Sequence, residues 1–145
     1  MEGRACEGPW GESDTWIHGA RTLRLHRRMV GHINEFEASM FYELRQYRAK
    51  EGQREKLASY MEEVIIPFQV GKGMVITGAF TGETEADLYV WIRRFENEAE
   101  KEALYTAVYQ SDEWKNVIGP KIGELLDREK IVVTRLQPMP KSVLR

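Results

Sequence analysis

Phe41-Tyr42-Glu43-Leu44-Arg45-Gln46-Tyr47 decides the fold. Aromatic and aliphatic residues alternate with charged ones, the period-two pattern of a strand. Tyr42, Leu44 and Gln46 project to one side; Phe41, Glu43, Arg45 and Tyr47 project to the other. The strand is expected over Met40–Tyr47. Lys50-Glu51-Gly52 then turns the chain, with Gly52 free to take positive φ.

Downstream, the sequence repeats a strand–helix logic. Leu57, Tyr60, Met61, Val64, Ile65 and Phe68 fall at helical spacing, predicting a helix from Gln53 to about Phe68 that Pro67 ends or bends. Gly71-Lys72-Gly73 leads to a second strand, Met74–Thr81. It is only superficially a phosphate loop, because a strand follows it rather than a helix. A polar loop, 81–87, leads to a third strand, Leu88–Phe95. There Tyr89, Trp91, Arg93 and Phe95 share a face, opposite Leu88, Val90, Ile92 and Arg94.

Asn97 followed by Glu100 predicts a capped helix to Tyr109, with Ala99, Ala103, Leu104, Ala107 and Val108 as its apolar face. A further helix starts at Ser111 or Asp112, is interrupted at Pro120 and continues through Ile122, Leu125 and Leu126. A last strand is expected over Glu129–Leu136, before Pro138 and Pro140 end the regular structure.

Strand, helix, strand, strand, helix, strand is the βαββαβ order of a ferredoxin-like plait, an α+β fold with a four-stranded antiparallel sheet. Helices cover one face of such a sheet. The helices are expected over Tyr42 and Leu44. Glu43, Arg45 and Tyr47, with Tyr89, Trp91 and Phe95, then lie on the open face. An open face so aromatic needs a cover, and two sheets packed face to face in a homodimer supply one. The domain is placed at 40–137, with a tail at 138–145. Residues 1–39, poor in core-forming pattern, read as a disordered extension or as residues upstream of a start at Met40.

Composition bounds the chemistry. The chain has 145 residues, 42% hydrophobic and 30% charged, with a formal net charge of −2. That is one ordinary globular domain, without the basic field that would draw it to nucleic acid. Its one cysteine, Cys6, allows no intrachain disulfide and suits a cytoplasmic location. No apolar run approaches the roughly 20 residues that span a bilayer, so no membrane partner is expected. The three histidines (His18, His26, His32) precede Met40. The domain therefore lacks the usual metal ligands and thiolate nucleophile, and no metal or cofactor is expected.

The run Tyr42-Glu43-Leu44-Arg45-Gln46-Tyr47, then Gly52 before a helix, Leu88-Tyr89-Val90-Trp91-Ile92-Arg93-Arg94-Phe95, and Ser111-Asp112-Glu113-Trp114 together resemble the NIPSNAP family. The resemblance covers Met40 to Leu136. It implies a dimeric α/β barrel built from two plaits. The wider barrel superfamily includes cofactor-independent monooxygenases, lactone isomerases, aldoxime dehydratases and haem-degrading enzymes, but NIPSNAP-like proteins have no agreed reaction.

The candidate ligand-binding or acid/base residues are Glu43, Arg45, Tyr47, Trp91 and Arg93. Charges enter a core only when paired. A guanidinium fork suits a carboxylate or enolate oxygen, and Tyr47 can donate to a developing oxyanion. The plainer role is an ion pair that fixes dimer register, with Trp91 as packing. The functional expectation is a small homodimeric binding or scaffolding module with a small-molecule ligand as a further partner. The alternative is a cofactor-independent enzyme of monooxygenase, isomerase or dehydratase type, acting on a small oxygenated or aromatic metabolite.

Overall fold

The computed structural model describes residues 39–144. The expected extension at 1–39, the start at Met40 and the three histidines bear on residues that, Ser39 and Met40 apart, lie outside that range.

Four strands make one sheet: β1 Phe41–Arg48, β2 Val75–Thr81, β3 Leu88–Phe95 and β4 Val132–Leu136. Their spatial order is β2-β3-β1-β4 and every pairing is antiparallel. This is the ferredoxin-like plait. The chain leaves β1 through Gly52, whose φ of 70° is open to glycine at little cost. β4 begins later than expected. Asp127 accepts a hydrogen bond from the Glu129 backbone and winds residues Arg128–Lys130 into a 3₁₀ turn.

The two central strands pair residue for residue, Glu43 opposite Arg93 and Arg45 opposite Trp91. Their faces are the reverse of the expected ones. Phe41, Glu43, Arg45, Tyr47, Tyr89, Trp91, Arg93 and Phe95 are all buried beneath the helices. The open face instead carries Leu44, Val90 and Ile92, half-buried, with Phe80, Val132, Val75 and Leu136 exposed. Tyr42 stays on that face as well. The reason is bulk. The large aromatic rings offer the helices the most apolar area, at about 25 cal/mol per Å² removed from water. The shorter aliphatic side chains are left outside.

The first helix runs through Pro67 rather than ending there. It comprises α1 Arg54–Tyr60, a π-helical turn Met61–Ile65 and α2 Ile66–Gly71. The second long helix repeats the device, with a π-helical turn Trp114–Ile118 before the helical segment Gly119–Leu125 that contains Pro120. Each π-turn is closed by a backbone bond five residues long, Ile66 N–H to Met61 O and Gly119 N–H to Trp114 O. The wider turn makes room ahead of the proline, which cannot donate and would crowd a regular α-turn. Val64-Ile65-Ile66-Pro67 and Val117-Ile118-Gly119-Pro120 are the matching sequences.

The π-turns also keep every fourth residue facing the sheet. In a plain α-helix a four-residue step overshoots by roughly 40°, so three steps would swing a side chain round the helix. Here Leu57, Met61, Ile65 and Gln69 are all buried, and so are Trp114, Ile118, Ile122 and Leu126. Aligned on the two prolines, Gln69 corresponds to Ile122.

Between these helices lies α3, Glu98–Tyr109. Asn97 caps it by accepting from the Glu100 N–H at 2.8 Å, and Glu100 reaches back to the Glu96 N–H. Its inward face keeps Leu104 and Val108 of the expected one but not the alanines. Ala99, Ala103 and Ala107 are exposed, while Val108 and Tyr109 are buried and Tyr105 is half-buried. Three alanines bury less apolar surface than two tyrosine rings, and the helix settles on the larger side.

Candidate functional site

β1 and β3 set the site, because their register puts Glu43 directly across from Arg93. Arg93 is fully buried, and Glu43 and Arg45 nearly so. Arg93 Nη2 donates to Glu43 Oε2 at 2.6 Å, and Arg45 Nη1 donates to the same oxygen at 3.4 Å. Arg45 Nε donates to the Tyr47 hydroxyl at 3.2 Å. Tyr47 meets Trp91 edge to face at 5.9 Å, and the Arg93 guanidinium sits 5.1 Å from the Trp91 ring centre. All five residues singled out from the sequence therefore meet, inside one protomer.

The helices add three residues that sequence reasoning missed. Tyr105 and Tyr109, one turn apart on α3, point their hydroxyls into the cluster. The Tyr105 hydroxyl donates to Glu43, 2.7 Å from Oε2, and accepts from Arg93 Nη2 at 2.5 Å. The Tyr109 hydroxyl accepts from Arg93 Nη1 at 2.7 Å. Gln69 Oε1, from α2, accepts from the same nitrogen at 3.2 Å. The signal for Gln69 was its spacing, four residues beyond Leu57, Met61 and Ile65; a polar residue in that line is out of character.

A chain of charges runs from the cluster to the surface. Lys101 Nζ lies 3.8 Å from Glu43 Oε1 and 3.3 Å from Glu98 Oε1, and Glu98 Oε2 meets Arg135 Nη1 at 2.5 Å. Arg135 in turn lies over the Phe41 ring at 3.5 Å. The buried polar groups thus have a charged rim at the start of α3.

Electrostatics hold the ionised groups ionised. Burial alone would raise the Glu43 pKa, but Arg93 and Arg45, with hydrogen bonds from Arg93 and Tyr105, bring it down to about 2. Burial alone would lower the Arg93 pKa. The tyrosine oxygens and Glu43 around it outweigh burial, and it stays a cation. Burial pushes the Tyr47 and Tyr105 hydroxyls up, so both remain protonated donors.

Among the described residues, Gln69 Nε2, Trp91 Nε1, Arg93 Nε and the Tyr89 hydroxyl are buried without a hydrogen-bond partner. The first three are N–H donors, and Arg93 touches both Gln69 and Trp91. No three His, Cys, Asp or Glu among the described residues come together as a metal site. No helix among them is long and apolar enough to cross a membrane.

The chain matches no family model and no curated protein. Solved structures do match. A NIPSNAP family protein with unknown function from Agrobacterium tumefaciens is 26% identical, with a TM-score of 0.64 over 74% of this chain and 96% of that one. An uncharacterized NIPSNAP-like domain protein from Burkholderia xenovorans is 21% identical, with a TM-score of 0.65 over 72% of this chain and 90% of that one. A further A. tumefaciens NIPSNAP family protein is 20% identical, with a TM-score of 0.65 over 73% of this chain and 99% of that one. On this likeness, and on its βαββαβ sheet order, the chain has a NIPSNAP-like fold.

Proposed function

We propose that the chain is a homodimeric binding module of the cytoplasm, holding a small oxygenated ligand between sheet and helices in each protomer. The observation that carries this is the buried cluster of Glu43, Arg45, Arg93 and Tyr105 beneath the helices. Replacing buried ion pairs by packed apolar residues is commonly neutral or stabilising, so such a cluster is a costly way to fill a core. A role in dimer register no longer suits it, because the cluster faces away from the open side of the sheet. That open side, with Phe80, Val132, Val75 and Leu136 exposed, is the natural seat of the second protomer. The single cysteine, Cys6, supports the cytoplasmic part of the reading.

The enzymatic alternative, a cofactor-independent monooxygenase, isomerase or dehydratase, draws on Tyr105, whose hydroxyl bridges Glu43 and Arg93. Against it, a carboxylate held at about 2 is too weakly basic to take a proton at neutral pH. Binding is the better reading.

A thermal-shift screen of small oxygenated compounds, both anionic and neutral, tests it on the wild type and on Tyr105→Phe. Hits that raise Tm in the wild type and lose that effect in the variant support the module. If no compound of either charge class raises Tm, the cluster is structural and the reading fails.

A further inference from the structure

We infer that the cluster takes the anionic oxygens of a carboxylate or enolate, held by the side-chain N–H groups of Gln69, Trp91 and Arg93. The inference rests on the binding-module reading and gives that site its ligand class.

Three of the unmet groups, on Arg93 and two residues that touch it, have one sign. Gln69 Nε2, Trp91 Nε1 and Arg93 Nε are buried donors without acceptors. Arg93 Nη1 donates to Gln69 Oε1 at 3.2 Å, and the Arg93 guanidinium sits over the Trp91 ring at 5.1 Å. An unmet buried donor loses its water partners and gains nothing in return. Three on adjoining residues is a surplus that a folded core avoids.

The surplus selects the ligand. A water molecule accepts hydrogen bonds but brings two protons of its own, which then need acceptors. The nearby acceptors already serve other donors, Glu43 those of Arg93, Arg45 and Tyr105, and Gln69 Oε1 that of Arg93. A carboxylate or enolate oxygen only accepts. It satisfies the three donors and adds none. Arg93 leaves its Nε edge for this purpose, since Nη1 and Nη2 are occupied by Tyr109, Gln69, Glu43 and Tyr105.

Gln69 carries the argument a step further. Its counterpart in the second helix is Ile122, equally buried, which fills the corresponding place with no polar atom. The fold therefore tolerates an aliphatic residue there. An amide with an idle N–H is a local departure, of the kind found where a site needs a donor.

The rings around the cluster suit an aromatic acid as the probe. Trp91, Tyr47, Tyr105, Tyr109 and Phe95 line the cluster with rings. Benzoate is a fitting probe, and benzamide is its neutral counterpart of nearly the same shape.

The test uses the full chain labelled with nitrogen-15. The Trp91 indole N–H signal is identified by its loss in Trp91→Phe, and the Arg93 Nε–H signal by backbone-linked assignment. Benzoate is expected to move both signals saturably, binding about ten-fold tighter than benzamide, the worth of one charge-assisted hydrogen bond. Gln69→Leu is expected to weaken benzoate about ten-fold while leaving the protein folded, since Ile122 shows that the position accepts an aliphatic side chain. Equal binding of benzoate and benzamide would overturn the anion class and leave the binding module standing. Unmoved signals with both probes, alongside neutral hits in the thermal screen, would place the ligand on other groups and end the inference. Unmoved signals with cross-peaks to bound water would assign the donors to solvent and end it equally.

Discussion

Glu43 and Arg93 are opposite each other in the β1–β3 register, and their side chains close a 2.6 Å ion pair in the middle of the core. Backbone pairing and charge pairing thus coincide. The strands cannot shift against each other without parting a buried anion from its cation.

Removing one partner should cost more than removing both. Arg93→Leu leaves the Glu43 carboxylate buried with less compensation and is expected to lose about 3–5 kcal/mol of stability. The double variant Glu43→Met, Arg93→Met should recover part of that loss, the remainder reflecting Arg45, which also pairs with Glu43. Urea unfolding of the three proteins measures it. A double variant no more stable than Arg93→Leu would mean that the two residues act independently.

Acid should find Glu43 late. Its folded pKa, about 2, lies below the unfolded value near 4.5, so the folded state holds the proton less readily. The stability this contributes, on the order of 3 kcal/mol, is complete above pH 4.5 and fades as pH falls toward 2. Glu43→Gln should lack that part of the pH dependence. Unfolding free energies of both proteins between pH 7 and pH 2 make the comparison; parallel curves would refute the shift.

Charge on the open sheet face should separate the protomers without unfolding them. Ile92 and Val90 lie on that face in the central strand and point away from the cluster. The wild type is expected to elute as a dimer, and Ile92→Lys as a monomer with an unchanged far-ultraviolet spectrum. A wild-type elution volume for Ile92→Lys would move the interface elsewhere.

The cap of α3 should matter to the site as well as to the helix. Asn97→Ala removes the acceptor for the Glu100 N–H and should cost about 1 kcal/mol. Because Tyr105 and Tyr109 ride on the same helix, a ligand found in the thermal screen should bind more weakly to this variant. Unchanged affinity would show that the cap and the cluster are uncoupled.

The strands and their order were legible because alternation and turn residues are local signals. β3 falls on the expected residues, Leu88–Phe95, and Gly52 takes the expected positive φ. Which face of β1 the helices would cover was not legible from alternation, which gives two faces without saying which is inner. The deciding property was size, with Tyr47, Trp91 and Phe95 outweighing Leu44, Val90 and Ile92. The prolines misled because their cost was judged against regular α-geometry, whereas Pro67 and Pro120 each follow a π-turn. Glu43, Arg45, Tyr47, Trp91 and Arg93 were found because charged and aromatic residues alternate within strands. Tyr105, Tyr109 and Gln69 were passed over because a tyrosine or glutamine on a helix is ordinarily a surface residue.

β1 is a message read in two interleaved halves. Odd-numbered residues, Phe41 to Tyr47, address the interior; even-numbered ones, Tyr42 to Arg48, address the open side. Individual letters can be exchanged, but the phase cannot. Adding or deleting one residue early in the strand would send each half to the wrong reader, turning Arg45 outward and Leu44 inward in one step. Such a change alters both faces of the sheet together.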